Sequence, residues 1–265
     1  MFHGLNNSFL YSAQLLECTF ADAIGNEKTI GGTGFWLKNG STISLITNRH
    51  VLDLEYYHPK YKGYSLQSLV VVGKVQDENG APEIEQRLLI KNHAEIQLST
   101  TKENDIAAII KPEVDVVGGG EIKPILGGVD RNLLATTEDL TTKISVCDFV
   151  AYPGFPPWYD KRGGRPILRT GTISSDPRYD YSWKDDYVGE CIAFEAFSFG
   201  GSSGSPVFAV QKGPEPGPGI NFPGFRELKM VGINAGHLPT AKDQHSGISY
   251  MFKSSAVLDL LDEAK

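Results

Sequence analysis

The chain has 265 residues, enough for one large β domain or two small ones sharing an interface. Hydrophobic residues make up 40% of it, and 29 glycines with 15 prolines give the composition of a globular, turn-rich protein. A net charge of −7, with no run of Lys and Arg, excludes an extended phosphate-binding face, because nucleic-acid binding needs clustered positive charge.

Lys74, Lys161 and Arg162 read as isolated, solvated charges. The three cysteines, Cys18, Cys147 and Cys191, are too few and too odd in number for a disulfide framework. Each sits in an apolar segment and reads as a buried small hydrophobe. None has metal-ligand spacing to a His, so no metal is expected. Residues 1–7 have neither the basic start nor the apolar core of a signal peptide. No run has the apolar length of a membrane span. The expectation is a cytoplasmic protein of a reducing compartment, with no nucleic-acid or membrane partner.

Taken in order, residues 8–20 alternate loosely and predict a first strand. Gly31-Gly32-Thr33-Gly34-Phe35-Trp36-Leu37 predicts a glycine-marked second strand. Asn39-Gly40 is a hairpin signal, and β-branched, alternating residues 41–47 follow it. They run into Asn48-Arg49-His50-Val51-Leu52. Short strands are predicted over 68–75, 83–90, 94–98 and 105–110, the last opened by Asp105. Residues 112–124 carry Gly118-Gly119-Gly120 and little periodicity, and read as the crossing between two halves. The second half repeats the pattern over 144–152, 167–174, 187–197, 207–210, 230–234 and 247–252. Two long loops interrupt it: 175–186, rich in Asp, Tyr and Trp, and 211–227, with Pro214, Pro216, Pro218 and Pro223. The one good helix is terminal, capped by Ser254-Ser255 with Val257, Leu258, Leu260 and Leu261 on its apolar face. Many short strands with Gly and Pro turns predict an all-β sandwich or barrel.

Phe199-Gly200-Gly201-Ser202-Ser203-Gly204-Ser205-Pro206 packs small residues into a turn before the apolar run 207–210. Read alone it is a surface turn. Acyl transfer, however, needs a nucleophile, a base, a group that orients the base, and donors for an oxyanion. Ser203 in the turn, His50 after a strand and Asp105 before one supply candidates for these roles.

Together these segments carry a resemblance. Thr47-Asn48-Arg49-His50-Val51, Asn104-Asp105-Ile106-Ala107 and Gly201-Ser202-Ser203-Gly204-Ser205-Pro206 resemble, in order, the three catalytic segments of the chymotrypsin/trypsin-like serine proteases. Gly32-Thr33-Gly34-Phe35, Tyr152-Pro153-Gly154 and Val231-Gly232-Ile233-Asn234 resemble that family's neighbouring strands and loops, so the likeness covers most of residues 30–253. The Ser-Gly-Ser-Pro-Val-Phe form is similar to the bacterial branch that includes the glutamyl endopeptidases. The resemblance implies two six-stranded antiparallel Greek-key β-barrels with a short C-terminal α-helix. Residues 1–120 would carry His50 and Asp105, and residues 121–265 would carry Ser203. It implies a serine endopeptidase without cofactor, acting on protein or peptide substrates through a His50, Asp105 and Ser203 triad. Gly201 and Ser203 would donate their N–H groups to the oxyanion. Phe197, Ser198, Asn234, Ala235 and Gly236 would line the substrate pocket.

The departures are informative. Digestive members carry Asp before the nucleophile for a zymogen ion pair, and Ser202 cannot form one. Phe197 replaces the pocket Asp of Arg- and Lys-cleaving enzymes. Asn234 stands where glutamyl endopeptidases place a His. His237, beside the pocket, is a loop His or a contact for an acidic side chain. Control is expected from a regulatory protein partner or from loops 175–186 and 211–227. Two other readings stay open. One is a catalytically silent, protease-like binding scaffold. The other is an esterase with Ser202 as nucleophile in Gly200-Gly201-Ser202-Ser203-Gly204, which would need a helix after the turn.

Overall fold

The computed structural model describes residues 5–215, 217–218 and 224–263. Pro216 and Pro223 of the second long loop lie outside the described residues. The strands are β1 (Gln14–Ala21), β2 (Glu27–Asn39), β3 (Thr42–Thr47), β4 (Ser65–Val75), β5 (Ile84–Ile90), β6 (Ile96–Leu98), β7 (Ala107–Ile110), β8 (Val114–Val116), β9 (Val129–Asp130), β10 (Phe149–Gly154), β11 (Ile167–Ile173), β12 (Cys191–Glu195), β13 (Pro206–Ala209), β14 (Lys229–Pro239) and β15 (His245–Lys253). The helices are α1 (Arg49–Leu52), α2 (Leu54–Tyr57), α3 (Thr137–Thr142) and α4 (Ser254–Glu263).

The protein is mostly β, as its short alternating segments predict. In β1, buried Gln14, Leu16, Cys18 and Phe20 alternate with more exposed neighbours, the period-two pattern of a strand with one face in the core. The second half closes into a barrel in the order β10-β11-β12-β15-β14-β13. The first half is different from the closed six-stranded barrel expected for it. It is a curled nine-stranded sheet, ordered β6-β7-β3-β2-β1-β4-β5-β8, with β9 added to β2.

β2 is the corner of that sheet. Its residues 27–34 pair with β1, and Phe35–Asn39 pair with β3. Gly34 marks the change of partner, because a Cβ there would lie 2.9 Å from Leu16 Cδ1 and 3.0 Å from the Ile46 carbonyl. Only a glycine lets the two layers approach so closely.

The expected elements differ from those observed at several points. Residues 7–12 form a 3-10 helix before β1, so the first strand is shorter than predicted. Residues 49–57 form two single-turn helices. The expected crossing segment contributes β8 to the sheet, because Val114–Val116 pair with β5. Helix α3 escaped the apolar periodicity, being six residues long and defined by a Thr136–Asp139 capping box. Cys18 and Cys191 are buried, whereas Cys147 is exposed at φ +63° in a turn. Lys74 is 7% exposed rather than solvated, because its side chain packs beside Gly164, where an added Cβ would lie 3.3 Å from Nζ.

A single apolar cluster joins the halves. It takes Phe35, Leu37, Ile46, Ile106 and Ala108 from the first and Phe208, Met230, Ile233 and Phe252 from the second. Strand β13 is buried throughout because its two faces serve two cores. Val207 and Ala209 fill the barrel, and Phe208 fills the joint. Helix α4 closes the joint with Ala256, Val257, Leu260 and Leu261. Its first residue, Ser254, donates its hydroxyl to the Ala135 carbonyl at 2.6 Å.

Candidate active site

The joint between the halves opens into a cleft of about 550 Å³ lined by His50, Asp105 and Ser203 among others. Each of these three residues is held by a separate piece of backbone. His50 lies in α1, one turn past the end of β3. Asn48, ahead of it, donates its side-chain amide to the Asp105 carbonyl at 2.7 Å. That bond ties the end of β3 to the segment entering β7. Asp105 then accepts twice from His50, at Oδ1 from the backbone N–H (2.8 Å) and at Oδ2 from Nδ1 (2.5 Å). The carboxylate therefore fixes Nδ1 as the protonated nitrogen and leaves Nε2 its lone pair.

Ser203 sits in the glycine turn, where two positive-φ glycines shape the backbone. Gly201 has φ +85° and Gly204 φ +90°. A Cβ on Gly201 would meet the Phe155 carbonyl at 2.4 Å, and one on Gly204 would collide with the Thr33 carbonyl. Both positions demand glycine for conformation and for space. Among the described residues, the N–H groups of Gly201 and Ser203 have no acceptor, although the N–H groups of Ser202, Gly204 and Ser205 each have one. Ser203 Oγ lies 3.2 Å from the Ala235 carbonyl.

The turn is pinned from both sides. Gly204 N–H donates to the Asn234 carbonyl and Asn234 N–H to the Ser205 carbonyl, both at 2.9 Å. The Asn234 side chain donates to the Ser202 carbonyl (2.8 Å) and to Ser198 Oγ (3.0 Å). From the first half, Thr33 N–H donates to the Ser203 carbonyl at 2.9 Å and Thr33 Oγ1 to the Gly201 carbonyl at 2.6 Å. Phe155 N–H donates back to Thr33 Oγ1 at 3.1 Å.

Of the residues expected to line the pocket, Ser198, Ala235 and Gly236 border the cleft, and His237 joins them. Asn234 is fully buried and spends its amide on the turn. Phe197 is 54% exposed and turns away, its ring 4.9 Å from His245. Ser202 is 1% exposed with an unpartnered hydroxyl, whereas Ser203 reaches the cleft. Pro206 opens a strand, so no helix follows the turn as an esterase elbow would require.

Several contributors were not singled out from sequence. Trp183 and Lys184 bring loop 175–186 to the cleft, with the Trp183 ring 4.4 Å from Tyr250. Tyr56 and Tyr250 line the His50 side. Burial, and then the Asp105 charge, push the Tyr56 phenol up to about 12, and the same two causes raise Tyr250. Both therefore present neutral hydroxyls at physiological pH. The aromatic composition of loop 175–186 hinted at Trp183 alone. His237 stacks on His245 at 4.2 Å, and burial, then the neighbouring His237, hold the His245 imidazole below its usual range.

Among the described residues, no group of three or more His, Cys, Asp or Glu side chains is placed to hold a metal ion. No described helix is long and apolar enough to cross a membrane. No protein-family model matches the chain, and no curated protein matches its sequence. What the structure defines is an all-β, barrel-rich fold compatible with the chymotrypsin-like one, with a cleft between its halves.

Proposed function

We propose that this chain is a serine endopeptidase of the chymotrypsin/trypsin-like kind. The observation that supports it best is the Asp105–His50 pair set on the same cleft as Ser203, beside two unpartnered backbone N–H groups. Ser203 Oγ attacks the scissile carbonyl carbon while His50 Nε2 takes the hydroxyl proton. Asp105 keeps the imidazole in the tautomer that can accept it and stabilises the imidazolium that forms. The N–H groups of Gly201 and Ser203 bind the developing oxyanion, and losing one such donor costs on the order of 10²–10³ in rate. His50 then gives its proton to the leaving amine. A water, deprotonated by His50, releases the acyl group and restores the Ser203 hydroxyl. The substrate is a protein or peptide chain, and no cofactor takes part.

A fluorophosphonate probe tests this reading. Wild type is expected to label, Ser203→Ala to lose labelling, and Ser202→Ala to keep it. Labelling that depends on Ser202 instead points to an esterase. Wild type that binds peptide without labelling points to a silent scaffold.

A further inference from the structure

A second cavity, of about 620 Å³, shares no lining residue with the cleft. It lies at the seam of the curled N-terminal sheet. Thr42 and Ile43 of β3 and Lys111 just past β7 line one side of it, and Leu88 of β5 and Val114 of β8 line the other. These strands stand toward opposite ends of the sheet order, so the cavity occupies the gap where a closed barrel would have been stitched. Trp36, Leu88, Val114 and Ile125 give it apolar walls, and Ile43 and Ile122 remain 45% and 51% exposed beside it.

Its rim is charged in one sense only. Lys38, Lys111 and Lys123 surround it, no Asp or Glu lines it, and among the described residues none of the three ammonium groups has an ion-pair partner. All three lysines are exposed, and together they give this face of a net-negative chain a local positive charge. Lys111 is also held at φ +50°, a conformation that a glycine or asparagine would adopt more cheaply. The Lys38 stem lies across Gly128, where a Cβ would stand 2.5 Å from Lys38 Cε.

We propose that this seam binds a small amphiphilic anion, a carboxylate- or sulfonate-headed molecule whose apolar tail enters between the walls. Cavities of this size at barrel mouths suit single small ligands. The walls take up the tail by area, and the three ammonium groups select the headgroup by charge. The site is independent of the proposed hydrolytic activity.

Dodecanoate displacing 1-anilinonaphthalene-8-sulfonate tests it. One sulfonate probe is expected per chain, quenching Trp36 and displaced by dodecanoate. Lys38→Glu with Lys111→Glu should weaken dodecanoate by about tenfold or more, while uncharged N-phenyl-1-naphthylamine binds as before. Lys161→Glu with Arg162→Glu makes the same charge change on exposed residues outside the cavity lining and should leave dodecanoate affinity intact. Val114→Trp should abolish binding of all three molecules, and Ser41→Trp on the exposed hairpin serves if that variant loses its circular-dichroism signature. The proposal is overturned by any of four outcomes: no saturable binding, binding that survives both blocking variants, equal weakening by the two charge-reversal pairs, or association only with phosphatidylglycerol vesicles.

Discussion

Thr33 ties the Ser203 turn to the opposite half of the molecule, with its backbone N–H to the Ser203 carbonyl and with its side-chain oxygen. Its Oγ1 donates to Gly201 and accepts from Phe155, while its carbonyl accepts from Thr47 Oγ1 at 2.7 Å. Thr33→Val keeps the shape and leaves the Gly201 carbonyl and the Phe155 N–H unpaired. A stability loss of about 1–3 kcal/mol is expected, from buried groups without partners. On the proposed function, the fluorophosphonate labelling rate should fall further, on the order of 10²-fold, because displacing the turn misplaces both Ser203 and the N–H groups proposed to bind the oxyanion. Thr33→Ser restores most of that rate; a rate unchanged in Thr33→Val would remove Thr33 from the turn's support. His245 carries a pH dependence. Both ring nitrogens face backbone N–H groups, of Ser198 (3.1 Å) and Gly247 (2.8 Å), and a neutral imidazole can accept at one of them. Protonation abolishes that acceptor and places a charge beside His237 and near Arg169. The folded-state pKa lies below the ordinary 6.5, so the unfolded chain binds the proton more tightly. The stabilisation is complete above pH 6.5 and is lost as pH falls through the folded value. The thermal midpoint should therefore drop on acidification below 6.5, and drop less in His245→Gln; parallel curves would refute this. His50, Asp105 and Ser203 were picked out in the sequence by their local segments, and the fold brings the three to one cleft. Thr33 was visible only as part of a strand, since the far ends of its hydrogen bonds lie more than a hundred residues along the chain.

The proline-rich loop after β13 is fastened at its base by Arg226. This guanidinium is 4% exposed and donates to the carbonyls of Ala209 (3.1 Å), Val210 (2.7 Å) and Glu227 (2.9 Å). Asp148, 5% exposed, lies 3.6 Å away and also pairs with the half-exposed Lys212 at 3.0 Å. Burial lowers the Arg226 pKa, and the Asp148 charge opposes that shift. Arg226→Ala leaves three carbonyls without that donor and removes one of the two cations beside the buried Asp148, and about 3–5 kcal/mol of stability should be lost in denaturant titration. Lys212→Ala removes a mostly solvated partner and should cost under about 1 kcal/mol. Equal costs for the two would show that Asp148 alone, and not the carbonyl cluster, holds the loop. Composition predicted the loop, because dense proline forbids ladder pairing, but not its anchor. A buried Arg is indistinguishable in sequence from a surface one. The same limit explains α3 and β8, elements too short for periodicity, whose existence depends on a capping box and on an edge left open by β5.

The all-β character and most of the strands were readable from alternation and turn residues, while the short strands β8 and β9 and the closure of each half were not. Closure depends on which edges meet, and the second half meets edge to edge whereas the first spreads into nine strands. What joins them is the shared cluster, and its composition argues that neither half is stable alone. Split between residues 120 and 121, the first piece would expose Phe35, Leu37, Ile46 and Ile106, and the second Phe208, Ile233, Val257 and Leu260, all of them nearly fully buried in the intact chain. Helix α4 belongs by sequence to the second half, yet its end is tied to the first, through Thr100 Oγ1 donating to Glu263 at 2.9 Å. Unfolding should therefore be a single transition, with Trp fluorescence and far-ultraviolet circular dichroism coincident. Leu260→Ala should lower it by about 2–5 kcal/mol while keeping it single, because the cavity opens in a core that both halves own. If the piece 1–120 melts cooperatively by itself, or if Leu260→Ala splits the transition in two, the cluster is a contact between independent domains rather than one core, and the cleft it supports would open and close with their relative motion.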